Sequence, residues 1–194
     1  MTSVASGSVS KDYSYDDYGR VSQYQSRNNG TVVNTETYTY HSPGSNLTTG
    51  RIATQYISSL NSTYTYTYDD NGNILSITDG TTITSYEYDS ANQLIRENNS
   101  TGGYTCTWTY DNAGNITSWK KYAYTTGELG TPISTKTYTY GNSRWGDLLT
   151  AFNGNAITYD TVGNPCSDSL PTREAQRRGA CYFWTSSKKS IRLP

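Results

Sequence analysis

The sequence predicts an all-β chain of repetitive antiparallel hairpins forming a curved, open sheet, with an irregular C-terminal tail. Three observations carry that expectation. Tyrosine alternates with Thr or Ser, as at the start of "YTYTYDDNGNILSITDG" (64–80), which is the two-residue period of a strand with one covered face. Each alternating run ends in Asp, Asn and Gly, which strands avoid and turns use. The combination then returns along the chain, the mark of a repeat architecture.

Four copies share one frame: "YSYDDYGRV" (13–21), "YTYDDNGNI" (66–74), "WTYDNAGNI" (108–116) and "ITYDTVGNP" (157–165). A fifth, "YEYDSANQL" (86–94), has Asn92 in the glycine place. Two are degenerate: "YTYHSPGSNL" from Tyr38, and "YTYGNSRWGDLL" from Tyr138, where Gly146 comes two residues late. The signature aromatics are Tyr13 and Tyr15, Tyr38 and Tyr40, Tyr66 and Tyr68, Tyr86 and Tyr88, Trp108 and Tyr110, Tyr138 and Tyr140, and Tyr159. Their second members are 25, 28, 20, 22, 30 and 19 residues apart, so the core period is about 20 and the longer gaps read as loop insertions.

Each copy reads as a hairpin. The expected turn residues are Asp16 and Gly19; Gly44; Asp69, Gly72 and Asn73; Asp89 and Asn92; Asp111, Gly114 and Asn115; Gly146; and Asp160, Gly163 and Asn164. Gly or Asn supplies the positive φ of a tight turn, and the recurring Asp caps the turn through its side chain. Return strands begin at Val21, Ile74, Leu94 and Ile116, and a second apolar residue often follows three later, as in Ile77 and Trp119. An odd offset places the two on opposite faces unless a bulge intervenes. The sequence leaves both arrangements open. "SRNNGTVVN", "HSPGSNLTTG" and "TTGELGTP" read as hairpin tips or insertions. The expected organisation is a frayed or disordered start (1–12), an array of about seven copies (13–164) and a basic, poorly ordered tail (165–194).

Composition explains the choice of tyrosine in part. Leu, Ile, Val and Phe make up only about 14% of the 194 residues, while there are 20 Tyr and 4 Trp. Each such ring buries about 150–250 Å², so the aromatics supply the missing core. A net charge of −1 argues against a nucleic-acid binder, which needs a basic stripe for phosphates. Residues 173–194 alone are basic, with Arg173, Arg177, Arg178, Lys188, Lys189 and Arg192 against Glu174. No apolar run is long enough for a membrane span, and no secretion signal is visible at the start. Three cysteines without a CxxC pair indicate neither a disulfide framework nor a zinc site. Cys106 falls in the alternation of "YTCTWTY" and is expected as a small buried stand-in for tyrosine.

The Y-x-Y-D-x-x-G-N core of these copies closely resembles the YD repeats of Rhs (rearrangement hot spot) proteins, which also occur in teneurins and in the shell components of insecticidal toxin complexes. The resemblance covers about residues 13–165. It implies a β-strip that spirals into a hollow shell, secreted or on the cell surface. In bacteria, such a shell commonly encloses a C-terminal toxin released by self-cleavage at a motif with Asp-Pro and Gly-Arg. A link to carbohydrate binding is implied as well. The chain lacks the cleavage motif and has too few copies to close a shell, so it is expected to be a wall segment.

Chemistry finds little support in the residues. His41 is the only histidine, and no nucleophile or orienting group marks it as a base. "DDNGN" alternates Asp69, Asn71 and Asn73 like a calcium loop, but Ile74 and Gly80 occupy the places where that loop requires Gly and Glu. The recurring aspartates suit a turn role better than the paired carboxylates of glycoside hydrolysis. No enzyme activity, cofactor or metal is expected. Two readings remain: a structural shell segment whose partners are neighbouring YD repeats or an enclosed toxin domain, and a module binding carbohydrate or cell wall, with Trp108 and Trp119 as candidate glycan contacts.

Overall fold

The computed structural model describes residues 2–42, 49–160, 163 and 165. Gly44, Asn164 and the tail beyond Pro165 lie outside the described residues. Fourteen antiparallel strands follow one another in chain order in one open sheet, and the described residues contain no helix. The strands are β1 (Thr2–Ser6), β2 (Val9–Tyr15), β3 (Val21–Asn28), β4 (Thr31–Tyr40), β5 (Ile52–Ile57), β6 (Ser62–Tyr68), β7 (Ile74–Asp79), β8 (Thr82–Tyr88), β9 (Leu94–Asn99), β10 (Tyr104–Tyr110), β11 (Ile116–Ala123), β12 (Ser134–Tyr140), β13 (Leu149–Phe152) and β14 (Asn155–Ala156). The described residues divide into two compact bodies between Lys136 and Thr137.

The first hairpin begins at Thr2. β1 pairs with β2 from Thr2↔Tyr13 to Ser6↔Val9, through a two-residue turn that opens on Gly7 at φ 58°. Glycine-first turns of this kind match the twist of a hairpin, and Val4 and Val9 favour the extended backbone. Gly80 repeats the device between β7 and β8, and Asn29-Gly30 and Asn153-Gly154 close hairpins with both φ values positive.

The bulge question is settled in one direction. Tyr66 and Thr67 of β6 face Ile77 and Ser76, but Tyr68 faces Ile74, so Leu75 is extra. The same shift leaves Ser22, Ala53, Ile95, Thr117 and Thr150 extra in the other return strands. The bulge converts an odd offset into an even one. Ile74 and Ile77 therefore lie on the same face as Tyr66 and Tyr68.

The first body is covered most deeply around β9–β11. Cys106, Trp108, Trp119 and Tyr122 are buried, as are the polar Asn98 and Thr105. The 30-residue gap is an insertion, 124–133, whose first part folds back over the threonine face of β9 and β10. Thr105 Oγ1 and Arg96 Nη2 both donate to the Thr125 main-chain oxygen at 2.9 Å, and Arg96 also reaches that of Gly127. In the second body Ile157 is buried, and Tyr138 packs on Phe152 with ring centroids 5.3 Å apart.

Candidate functional site

Three recurring structures build the tyrosine face: a turn, a cross-strand pair and a bond between copies. In the turn, the Asp main-chain oxygen accepts from the N–H three residues on: Gly19, Gly72, Asn92, Gly114 and Gly163, at 3.0–3.1 Å from Asp16, Asp69, Asp89, Asp111 and Asp160. Those five residues all have positive φ, from 60° to 95°, so a tight turn followed by a left-handed residue closes each hairpin. The Asp side chain completes it. Oδ1 of Asp89 accepts from the N–H groups of Ala91 and Gln93, and Oδ1 of Asp111 from those of Ala113 and Asn115, all at 2.9 Å.

In the turns of Asp16, Asp69 and Asp111 the residue after the left-handed position binds the other carboxylate oxygen. Asn73 and Asn115 donate to Asp69 and Asp111 through their side-chain amides, and Arg20 pairs with Asp16 at 2.7 Å. The Asn73 and Asn115 amides hold the carboxyls of Asp69 and Asp111 below the usual carboxylate range. His41 fills the turn place in the second copy, its N–H donating to the Arg51 oxygen as that of Asp69 donates to Asn73. Gly146 sits in an irregular turn in which the Leu148 N–H donates to Trp145, and its φ is not positive.

Cross-strand pairing is regular as well. The first aromatic of each copy faces Tyr24, Gln55, Ile77, Glu97 or Trp119 in the first body and Phe152 in the second. The second faces Val21, Ile52, Ile74, Leu94, Ile116 and Leu149 in turn. Where polar residues enter this face they form a network. The Glu36 carboxylate accepts from the hydroxyls of Tyr24 and Tyr38, from Gln55 Nε2 at 2.8 Å and from Asn34 Nδ2 at 3.1 Å, and Tyr66 donates to Gln55 Oε1. Burial, then the hydrogen bond to Glu36 and its charge, pushes the Tyr24 phenol up to about 12 and raises that of Tyr38.

The third element answers why the signature residue is tyrosine. Tyr40 Oη donates to the Val21 main-chain oxygen at 2.8 Å, Tyr68 to Ile52 at 2.8 Å, Tyr88 to Ile74 at 3.0 Å and Tyr110 to Leu94 at 2.7 Å. Tyr159 does the same to Leu149 within the second body. Every acceptor is the residue beside the bulge in the preceding copy. The bulge disturbs the ladder there, and the hydroxyl supplies a donor to its carbonyl. A phenylalanine fills the same volume but cannot make this bond.

Trp108 and Trp119, expected as candidate glycan contacts, face each other across β10 and β11 and are 8% and 3% exposed. Both indoles are largely buried, and Trp108 borders a cavity at the turn rim. Lys136 Nζ lies 4.6 Å from the centre of the Trp119 ring.

The teneurin YD-shell family matches residues 1–166. The chain belongs to that family. Among solved structures, a TcdB2-TccC3-Cdc42 crystal structure is similar at 18% identity with a TM-score of 0.51, covering 68% of this chain and 6% of that one. TcdB2-TccC3 without its hypervariable C-terminal region gives the same values. A Photorhabdus luminescens Tc holotoxin pore aligns over 81% of this chain and 11% of its own, at 17% identity and a TM-score of 0.46. No curated protein matches the sequence. The first two likenesses show the fold, and the chain spans a small fraction of those proteins. The YD-shell is a structural shell fold, and its signature residues here form the turns, pairs and hydroxyl bonds described above.

Proposed function

We propose that the chain is a non-catalytic wall segment of a secreted or cell-surface YD-type shell that encloses or displays a toxin domain, with neighbouring YD repeats as its immediate partners. The observation that carries this reading is the run of tyrosine hydroxyls from Tyr40 to Tyr110, each bonded to the main chain of the copy before it. Such a bond joins successive copies and has no use in a single hairpin. The signature aspartates are likewise committed to turn geometry. The carbohydrate reading, which calls on exposed Tyr and Trp faces, has less support at its two named contacts, because Trp108 and Trp119 are buried.

A wall segment cut from its neighbours exposes sheet edges, and edges recruit other strands. β1 is exposed along its whole length, with Val4 63% exposed. Sedimentation of the chain should therefore show association that grows with concentration. A clean monomer at all concentrations with full β circular dichroism would overturn the wall reading. Enclosure is tested on the longest natural gene product: a domain following the wall resists protease, and Tyr68→Ala with Tyr110→Ala opens it to digestion. Equal digestion with and without those changes removes the enclosure.

A further inference from the structure

The rim that carries the Asp turns has a second recurrence. At Arg20, Arg51 and Asn73 the residue just before the return strand reaches toward the following copy. Arg20 Nη1 donates to the Thr49 main-chain oxygen, and its guanidinium carbon lies 4.1 Å from the centre of the Tyr40 ring. Arg51 Nη1 and Nη2 point to the main-chain oxygens of Asp69 and Asp70 at 3.3 and 3.4 Å, with the guanidinium carbon 5.8 Å from the Tyr68 ring centre. Gly72 makes room for it, since a Cβ there would stand 2.7 Å from Arg51 Nη2. In these two places the chain seats its own guanidinium between a signature tyrosine and the next turn.

The place between the fourth and fifth copies has the same walls and a different occupant. Gln93 stands where Arg51 does, Tyr110 where Tyr68 does, and Asp111, Asn112 and Gly114 where Asp69, Asp70 and Gly72 do. Gln93 is shorter and neutral. Beside it opens a cavity of about 470 Å³, bordered by Asp89, Gln93, Ile95, Tyr110, Asp111 and Asn112. Carboxylates from two successive turns thus flank it, and among the described residues neither Asp89 nor Asp111 forms a salt bridge. The Asp111 oxygen already accepts from Gly114, as the Asp69 oxygen does from Gly72. A carbonyl has a second lone pair for another donor, and Arg51 uses that of Asp69.

We propose that this cavity binds a guanidinium group, seated over Tyr110 and donating to the main-chain oxygens of Asp111 and Asn112 as Arg51 does to Asp69 and Asp70 two copies earlier. A planar fork that stacks on a ring and serves two acceptors is the chemistry of arginine, which an ammonium does not reproduce. The site is independent of the wall reading: sedimentation can go either way without touching it.

The test is a titration of the ¹⁵N-labelled chain with N-acetyl-arginine N-methylamide, followed by NMR. Saturable shifts are expected at the amides of Asn112, Ala113 and Gly114, and none at Gly72. The neutral citrulline counterpart should bind about tenfold more weakly or worse, because it loses the charge-assisted bonds. Gln93→Arg supplies the guanidinium from within and should abolish the response; the Arg51 and Gly72 pair shows that the turn accepts it. A pentapeptide Gly-Gly-Arg-Gly-Gly distinguishes the sources: tighter binding than the capped amino acid assigns a partner polypeptide, and equal binding assigns free guanidino compounds. Absence of saturable shifts, or an equal response to citrulline, overturns the proposal on the unaltered protein, and an unchanged response in a folded Gln93→Arg chain does so independently.

Discussion

Tyr110 Oη lies 2.7 Å from the main-chain oxygen of Leu94, in the return strand of the preceding copy. The ring supplies area and the hydroxyl supplies a donor at the bulge, and Phe separates the two. Tyr110→Phe should destabilise the chain by about 1 kcal/mol, the usual net value of one such bond, with Tyr88→Phe and Tyr68→Phe similar. Urea unfolding measures this. A cost near zero in all three would mean that the carbonyls beside the bulges gain nothing from the hydroxyls.

The glycines of the turns should differ in sensitivity. Gly19 and Gly72 both have positive φ, at 77° and 95°. Nothing lies within 4 Å of a Cβ built on Gly19, whereas one on Gly72 meets Arg51 Nη2 at 2.7 Å. Gly19→Ala should cost about 1–2 kcal/mol from backbone conformation alone. Gly72→Ala should cost about 1 kcal/mol more, because Arg51 must leave its two carbonyls. In an Arg51→Ala background that excess should vanish, and a double-mutant cycle reads it directly.

The parts of this fold visible in the sequence are those that depend on neighbours along the chain. Alternation marked β6 and β10, and Asp-x-x-Gly marked the turns of Asp69 and Asp111, because strand period and positive φ are local requirements. The bulges at Leu75 and Thr117 depend on which carbonyl meets which N–H across two strands, and the Ile74–Ile77 offset fits either arrangement until the register is known. The hydroxyl bond from Tyr88 to Ile74 crosses between copies, so the spacing of tyrosines within a copy gave no sign of it. "TTGELGTP" (125–132), within the insertion, reads from the sequence as a hairpin tip or insertion. Its place over Arg96 and Thr105 depends on contacts between residues 20 to 31 positions apart, beyond the reach of periodicity. Trp108 and Trp119 looked like sugar platforms for the same reason: composition does not show what faces them.

Their cross-strand pairing and burial predict a packing role for the two tryptophans. Trp119→Ala should cost about 3–5 kcal/mol, the range for truncating a buried large aromatic, and Trp108→Ala a comparable amount. With Trp145 and Trp184 changed to Phe, the remaining fluorescence should resist quenching by iodide. It should also stay flat through titration with a panel of oligosaccharides. Saturable quenching by any of them would restore the carbohydrate reading.

Acid should weaken the hairpins through their turns. The Asn73 and Asn115 amides hold Asp69 and Asp111 below their ordinary values. A folded pKa below the unfolded one, near 4, contributes stability that is present above about pH 4 and lost as pH falls through the folded value. Asp69→Asn with Asp111→Asn keeps an oxygen for the turn N–H groups and removes the titration. The double variant should therefore show a flatter dependence of the urea midpoint below about pH 4 than the parent. An unchanged slope would place the acid sensitivity in other carboxylates.

Alkali should act on the opposite face of the same argument. Burial, followed by the Glu36 hydrogen bond and charge for Tyr24 and the Glu97 charge for Tyr86, pushes these phenols up to about 12, and burial foremost does the same for Tyr138. An unfolded tyrosine titrates near 10. A folded pKa above the unfolded one contributes stability that is complete below about pH 10 and disappears as pH rises through about 12. Tyrosinate absorbance should thus rise in two stages, exposed phenols near pH 10 and the remainder together with loss of β circular dichroism. Glu36→Gln takes away the negative charge beside Tyr24 and Tyr38, so the late stage should begin at lower pH while burial still holds part of the shift. A single titration near pH 10 with the β signal intact would show that these hydroxyls ionise freely and that the tyrosine face is more open to water than its packing indicates.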